Sequence, residues 1–547
     1  MKKDYSILIG GAAGQGSRMA GLIIAKIFNS MGYSVFIHED YQSLVKGGHN
    51  FSLIRASEKE YTSHNNEVDF VLALNNETIF KHEKCLKKDG FIIFNKKNIE
   101  VKKGIGIEID KIVKELDGIS IMGNIAMISG FAKIVGIEWK TIEKIFKKEI
   151  SKKIDKNLEI AKRAYNEVDK IIEIEKLKRK EGTLLTGNEA ICLGAVDAGL
   201  DVYSAYPMTP ATSILHYLAE NSKKFKVIVS QSENEIAAIN SIIGSAYAGK
   251  RAMTGTSGGG FALMTEGISL SAQSEVPALV VNSQRSGPAT GVPTYGGQSD
   301  LLFALASGHG DFVRFVASPG DANEAYFLSG TLLNLAWKYQ TPAILLTDKE
   351  LSESTYEFNP EIKIKKEKPL LWNDKGEYKR YVQSKNGISP LAFPGGKGIV
   401  KSTSYEHDEK GLSVEDSESI VLMQDKRLRK FKEMEKEIDN IEAVKVYGKK
   451  NSTKAVIFWG STKGAIKEAV EKIDIKAVQV LFLQPLPKKQ IKKALKGAKK
   501  IILVECSATG QLEKVLKECE VKVDKKILKY DMRPFTAKEL ELKLKNI

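Results

Sequence analysis

Two glutamates, Glu233 and Glu235, stand between a short apolar run, Val227 to Val229, and a series of small residues that reaches Gly244. A carboxylate opening a helix has two uses. Ser232-Glu233-Asn234-Glu235 fits the Ser-x-x-Glu capping box, in which Glu235 satisfies a free backbone N–H, and local sequence alone favours that reading. The other use is acid–base chemistry at a strand end. A second strand, Arg251 to Thr256, runs into Ser257-Gly258-Gly259-Gly260. This turn lacks the lysine of a Walker loop, and its glycines let a ligand approach the backbone closely. Arg285 ends a further strand, where a guanidinium can grip a carboxylate in a fork or simply face solvent. In Tyr206-Pro207-Met208-Thr209-Pro210 two prolines around a threonine fix a loop and exclude early helix.

A second glycine turn lies near the N-terminus. The strand Tyr5 to Gly11 leads through Gly11-Ala12-Ala13-Gly14-Gln15-Gly16 into a helix, Ser17 to Ser30. Backbone amides there can face an anionic ligand. The dinucleotide fingerprint is incomplete: Gly11 and Gly16 fit, but Ala13 takes the middle position. Glu39-Asp40 after the next strand would suit a ribose, so a nicotinamide-nucleotide turn and a tight turn without nucleotide stay equally open. His49 reads as a polar loop histidine rather than a general base.

Metal chemistry has little support. The four cysteines, Cys85, Cys192, Cys506 and Cys519, include no Cys-x-x-Cys pair, so neither zinc nor an iron–sulfur cluster has a local motif. His407-Asp408-Glu409 is a loop triplet whose neighbours rarely converge on one ion. No metal site is expected in this chain, and Cys506 reads as a small buried hydrophobe rather than a nucleophile.

The elements that must position these residues are strands alternating with amphipathic helices, the pattern of parallel α/β sheets whose strand ends carry the site. At 547 residues, with 42% hydrophobic and 28% charged, the chain has the composition of a multidomain globular protein. Its apolar runs fall short of the ~20 residues a membrane span needs, and Met1-Lys2-Lys3-Asp4 leads into a strand rather than a signal peptide, so the cytoplasm is the expected location. The net charge of +15 is spread along helices such as Lys140 to Lys153 and Lys488 to Lys500, without interleaved aromatics, which argues against nucleic acid. Ile154 to Lys180 alternates apolar and charged residues and reads as a packed helical linker.

The helix with Glu235 followed at a distance by Gly244 resembles the pyrimidine-domain helix of thiamine-diphosphate enzymes. YPMTP (Tyr206 to Pro210), SENEIAA, TGTSGGG, QRSGPATGVPT and GGQSDL together resemble the alpha subunit of 2-oxoacid:ferredoxin oxidoreductases. The N-terminal turn and Leu44 to Arg55 are similar to the family's gamma subunit, here fused. The resemblance implies three α/β domains: a gamma-type domain at 1–178, a pyrimidine-binding thiamine-diphosphate domain at 183–365, and, after a long connection at 366–435, a transketolase C-terminal-like domain at 440–547.

It also implies roles. Glu235 would be the catalytic carboxylate on the aminopyrimidine ring. Thr209 and Arg285 would bind the substrate, and Tyr206, Pro207, Ser257, Gly258 and Gly259 the cofactor. Gly14, Gln15 and Gly16 would contact coenzyme A. The family has asparagine near Cys506-Ser507, which leaves a polar contact there open. No Gly-Asp-Gly motif for diphosphate and Mg²⁺ occurs in the sequence. A beta subunit is therefore expected to supply that half of the site and the iron–sulfur cluster, in a dimer of heterodimers that passes electrons to ferredoxin. The implied reaction is oxidative decarboxylation of a 2-oxoacid, first of all 2-oxoglutarate, to an acyl-coenzyme A. A dinucleotide-linked oxidoreductase and a non-catalytic scaffold subunit are the alternatives.

Overall fold

The computed structural model describes residues 3–42, 47–96, 101–102 and 104–547, so Leu44, Val45 and Lys46 of the gamma-like stretch lie outside the described residues. Two compact units emerge. One comprises Met1–Leu185, Ser354–Asn359 and Thr536–Leu540; the other comprises Thr186–Glu353, Pro360–Phe535 and Glu541–Ile547.

The first unit is built on β1 (Asp4–Ala12), β2 (Ser34–Asp40), β3 (His49–Ser57), β4 (Val68–Ala73), β5 (Leu86–Asn95), β6 (Gly104–Ile107) and β7 (Thr183–Thr186). With the later strand Thr355–Phe358 they form one sheet in the order β6-β5-β4-β1-β3-β2, Thr355–Phe358, β7. β1 runs parallel to β4 and antiparallel to β3. The helix Ser17–Ser30 buries Ala20, Ile23, Ile24, Ile27 and Phe28, a stripe at helical spacing, and Phe28 meets Phe131 of the helix Gly123–Ile134. The expected helical linker is helical only from Ile154 to Asn166. Beyond it the chain runs irregularly along the unit, its N–H groups spent on carbonyls: Ile171 and Ile172 on Ile134, Ile174 on Val135 and Leu177 on Met31. Alternating apolar and charged residues suit either state, and these tertiary acceptors decide for the extended one.

The second unit carries β8 (Val202–Ala205), β9 (Ile228–Gln231), β10 (Ala252–Thr256), β11 (Ala278–Gln284), β12 (Phe315–Ala317) and β13 (Pro342–Asp348). Their order is β12-β13-β11-β10-β8-β9, all parallel, with the strand Phe482–Gln484 added antiparallel at the β12 edge. β11 and β13 are buried at every position, as central parallel strands covered on both faces are. A five-stranded sheet follows, in the order Val444–Gly448, Lys476–Val480, Lys454–Phe458, Lys500–Glu505, Lys525–Leu528.

Residues 360–416 hold no helix or named strand. They are fastened by side chains instead. Arg380 donates to Gln340 Oε1 at 3.0 Å, and Tyr381 donates to the Ser274 carbonyl at 3.1 Å. The following helix, Ser417–Asp439, sends Lys426 and Lys430 onto the buried Glu275 at 2.7 and 2.5 Å. His407, Asp408 and Glu409 diverge. His407 is buried with its ring 3.8 Å from that of Tyr381, Asp408 accepts from Lys410 and Leu412 amides, and Glu409 takes the Gln383 amide and Lys379.

Candidate functional site

Parallel topology places four of the chemically suggestive stretches of the second unit just past the carboxyl ends of strands, where α/β sheets bind ligands. β8 opens into Tyr206–Pro210, β9 into Ser232–Glu235, β10 into Ser257–Gly260, and β11 into Arg285.

The helix after β9 starts at Glu235 and is capped by Asn234, whose side chain accepts from the Ala237 amide at 2.9 Å. The capping-box expectation fails here for a tertiary reason: Ser232 is buried and its hydroxyl pairs with that of Ser204 at 2.8 Å. Glu235 is thereby released from capping. It is only 3% exposed, and its Oε1 has no hydrogen-bond partner, whereas Glu233 is exposed. A buried carboxylate oxygen without a partner is costly and marks a place where a donor belongs.

Gly260 makes room for it. A Cβ there would lie 2.5 Å from Glu235 Oε1 and would collide with the Thr256 hydroxyl. Gly258 faces Asp300, with Oδ2 2.5 Å from where its Cβ would sit, and Gly259 faces open space. Asn282 reaches toward Asp300 at 3.5 Å, and burial pushes the Asp300 carboxyl above its ordinary pKa, offset in part by that contact.

Arg285 and Thr209 come together: the guanidinium donates from Nη1 to the Thr209 carbonyl at 3.1 Å, while its Nε is buried without a partner. Burial lowers the Arg285 pKa, and the charge of Glu235 works against that, so the two ionisable groups feel one another. The loop before the arginine is held by Asn188, whose amide donates to the Pro210 carbonyl at 2.9 Å and to Ser213 at 2.8 Å. Pro207 and Thr209 are half-buried and Tyr206 is exposed. Besides Glu235 and Arg285, the hydroxyls of Ser257 and Ser286 and Oδ1 of Asn282 are buried and unpartnered. Buried, unsatisfied polar atoms at the ends of neighbouring strands suit a polar ring with both donors and acceptors. The side chains of this set include one carboxylate and one guanidinium, and no carboxylate pair for a divalent ion.

Sequence reasoning missed Asn282, Ser286, Asp300 and the residues that hold their loop. GGQSDL was visible as a motif, yet nothing local told which of its residues faces inward. Gln298 is fully buried, with its amide donating to the Cys506 carbonyl at 2.7 Å, Oε1 accepting from the Cys506 amide at 2.8 Å and Nε2 donating to the Trp459 carbonyl at 2.8 Å. The polar contact left open at Cys506 is therefore made by its backbone, indifferent to the side chain. Burial raises the Cys506 thiol well above its ordinary pKa, which leaves no thiolate for nucleophilic work.

In the first unit, Gly16 (φ +76°) and Gly14 (φ +88°) adopt left-handed backbone, and Gln15 folds back to accept from the Ala12 amide at 2.6 Å. Gly16 starts the helix Ser17–Ser30, which has no side-chain cap and no acidic residue in its first turn. His49 is not a loop residue. It begins β3, is buried, and its Nε2 lies 2.7 Å from that of His82. Burial lowers both imidazoles, His82 to about 4, so neither is a base poised for neutral pH. Glu39 is buried and takes the Ser52 hydroxyl at 2.7 Å rather than standing ready for a ribose.

Two family models match the chain. Residues 6–167 match the model of the pyruvate ferredoxin/flavodoxin oxidoreductase family, and residues 193–426 match that of the pyruvate flavodoxin/ferredoxin oxidoreductase thiamine-diphosphate-binding family. The chain is 32% identical to a 2-oxoacid:ferredoxin oxidoreductase subunit alpha of Sulfolobus, over 98% of this chain and 96% of that one. It is 32% identical to the 2-oxoglutarate synthase subunit KorA of Methanocaldococcus jannaschii, over 62% of this chain and 94% of that one. Among solved structures it is similar to a 2-oxoglutarate:ferredoxin oxidoreductase from Magnetococcus marinus with 2-oxoglutarate, coenzyme A and succinyl-CoA bound, with a TM-score of 0.90, 29% identity and full coverage of both chains.

Proposed function

The chain belongs to the 2-oxoacid:ferredoxin oxidoreductase family, as an alpha subunit with a fused gamma-type segment, and from that premise we propose that it supplies the aminopyrimidine half of a thiamine-diphosphate site acting on 2-oxoglutarate. The observation that carries this reading is Glu235: a buried carboxylate oxygen with no partner, at a strand end, within electrostatic reach of Arg285.

When bound, thiamine diphosphate supplies a nucleophilic carbon for the 2-oxo group and an electron sink for the decarboxylated substrate. Glu235 holds a proton at a ring nitrogen, since an acceptor fixed in a dry pocket favours the protonated ring. The unpartnered Ser257 and Ser286 hydroxyls and the Asn282 side-chain carbonyl are buried groups able to meet the ring's amino substituent. Arg285, whose Nε is free within the buried site, offers its fork to the substrate carboxylate, and its bond to the Thr209 carbonyl fixes the plane of the guanidinium. In the gamma-type segment, the uncapped helix start after Gly14, Gln15 and Gly16 presents free amides suited to an anionic group of coenzyme A.

The diphosphate, its Mg²⁺ and the iron–sulfur cluster belong to a beta subunit in this reading. The surface beside the site fits such a partner. Ile236 (51% exposed) and Leu263 (51%) are apolar and exposed on the helices that begin at Glu235 and at Gly258. Ferredoxin is the proposed acceptor and the cytoplasm the proposed location; among the described residues no helix is long and apolar enough to cross a membrane.

The test is co-purification with the beta subunit and assay of viologen or ferredoxin reduction against a panel of 2-oxoacids, with coenzyme A present. We expect 2-oxoglutarate to give the highest kcat/KM, and the chain alone to be iron-free and inactive. Turnover by the isolated chain, or reduction of a nicotinamide nucleotide instead of ferredoxin, refutes the split site.

A further inference from the structure

Between Arg285 and the helix Leu301–Ala306 the chain makes a loop that touches the site at both ends. At the far end, Asp300 abuts Gly258 of the glycine turn and its amide is held by Gln284 Oε1 at 2.8 Å. Gln284 is itself fully buried and donates to the Thr347 carbonyl at 3.0 Å, so this end is fixed to the sheet. The middle of the loop is fixed to something else. Gln298 spends its amide and both side-chain groups on Cys506 and Trp459, at the carboxyl ends of two strands of the five-stranded sheet. Gln511, from the same layer, donates to the Ser299 carbonyl and accepts from the Leu302 amide at 2.5 and 2.9 Å, gripping the chain on either side of Asp300. Arg533 lies 3.7 Å over the ring of Tyr295, a third attachment.

We propose that loop 286–302 is a strap through which the C-terminal layer sets the position of the Ser257–Gly260 turn, with Asp300 the positioning residue that touches the turn and Gln298 and Gln511 the residues that hold the strap. The inference rests on the cofactor reading of that turn. Its physical basis is the number of independent constraints on so short a segment. Five hydrogen bonds engage the backbone of Gln298, Ser299, Asp300 and Leu302 and of Cys506 opposite, and all but the one to Gln284 span more than two hundred residues of sequence. Gly460 (φ +65°) confirms how tight the fit is, since a Cβ there would lie 2.7 Å from Gln298 Nε2. A strap held this closely transmits displacement, because packed interiors do not absorb it.

The experiment measures thiamine diphosphate affinity calorimetrically on the cofactor-free complex with the beta subunit, together with its thermal midpoint. Gln511→Ala and Asp300→Ala are each expected to weaken binding at least tenfold while shifting the midpoint by no more than a few degrees. The double variant should lose little more than either single one, since both act through one contact. Gln511→Glu keeps the acceptor for Leu302 and loses the donor to Ser299, so it should fall between. Gly258→Ala should weaken binding, and Asp300→Ala added to it should restore part of the loss by removing the carboxylate its methyl meets. Affinities within twofold of wild type in both single variants, or losses that multiply in the double one, overturn the proposal. A wild-type complex that takes up no thiamine diphosphate refutes the cofactor reading instead, a result the variants cannot mimic.

Discussion

Glu235→Gln should separate stability from activity, and the structure sets the size of both effects. The side chain is 3% exposed, Oε1 has no partner, and the residue is the first of its helix. Neutralising it relieves part of the cost of a buried, unsatisfied polar group, ~1–3 kcal/mol. It forfeits the favourable interaction of a negative charge with a helix N-terminus, ~0.3–1 kcal/mol. Lost attraction to Arg285 reduces the gain a little further, because that guanidinium is only half-buried. The sum runs from no change to about 2 kcal/mol of added stability, or a midpoint higher by up to roughly 3 °C for a unit of this size. Activity should move the other way, by about 10²–10⁴-fold, the scale of a missing acid–base partner. Glu233→Gln, exposed two residues earlier, should change stability by less than ~0.5 kcal/mol and leave turnover alone. The assay is thermal unfolding beside viologen reduction and hydrogen exchange at the reactive carbon of bound thiamine diphosphate. A Glu235→Gln variant that loses both stability and rate would make the residue structural, and one that keeps its rate would remove it from the chemistry.

Three further outcomes follow from named contacts. Burial raises the Asp348 carboxyl from 3.8 to about 6 against the Ser461 hydroxyl that donates to it, so the folded state holds the proton more tightly than the unfolded one, and stability is lost as pH rises from about 4 to 6. Asp348→Asn should flatten the pH dependence of unfolding across that window and above pH 7 be more stable by at most ~3 kcal/mol; an unchanged slope would mean that Asp348 titrates normally. Burial opposes the charge of Glu275, but Lys426, Lys430 and Arg380 hold its pKa well below the carboxylate range, while burial lowers Lys430 to about 8. Glu275→Gln leaves three buried cations and should cost ~3–5 kcal/mol, whereas Lys430→Met should cost little at pH 7, and equal losses in chemical denaturation would contradict this asymmetry. Gly259→Ala, facing open space, should leave unfolding unchanged yet weaken thiamine diphosphate binding, while Gly260→Ala should destabilise by ~1–3 kcal/mol through Glu235 and Thr256; cofactor binding undisturbed in Gly259→Ala would place the ring elsewhere.

What could be read in advance follows the range of the interaction that decided it. The alternation of apolar strands and amphipathic helices is local, and so the α/β architecture and the strand-end position of Glu235, Ser257 and Arg285 were legible before any coordinates. The identity of the cap was not. Ser232 and Asn234 are both good cap residues, and the choice between them was made by Ser204, on another strand, which occupies the Ser232 hydroxyl. The same change of cap is what leaves Glu235 without a partner, so the residue most visible in sequence owes its readiness to a contact that sequence could not show. His49 repeats the pattern: a lone polar histidine becomes half of a buried pair because β3 and the helix Asn76–His82 meet.

The connection between the C-terminal layer and the glycine turn was beyond reach for a stronger reason. It is made largely by backbone groups, and a backbone donor or acceptor leaves no mark on residue type. The resemblance implies asparagine near Cys506-Ser507, and its absence makes a contact there look lost; the Cys506 amide and carbonyl make one regardless. The residues with something to read were on the other side, Gln298 and Gln511, whose two-ended amides are what a strap needs to bond a donor and an acceptor at once. A glutamine buried among parallel strand ends is therefore better evidence of a long-range tie than the identity of the residue it grips. On that argument, the tie at position 506 does not depend on which side chain stands there, because its amide and carbonyl make it, whereas neither glutamine has a substitute that both donates and accepts at the same reach.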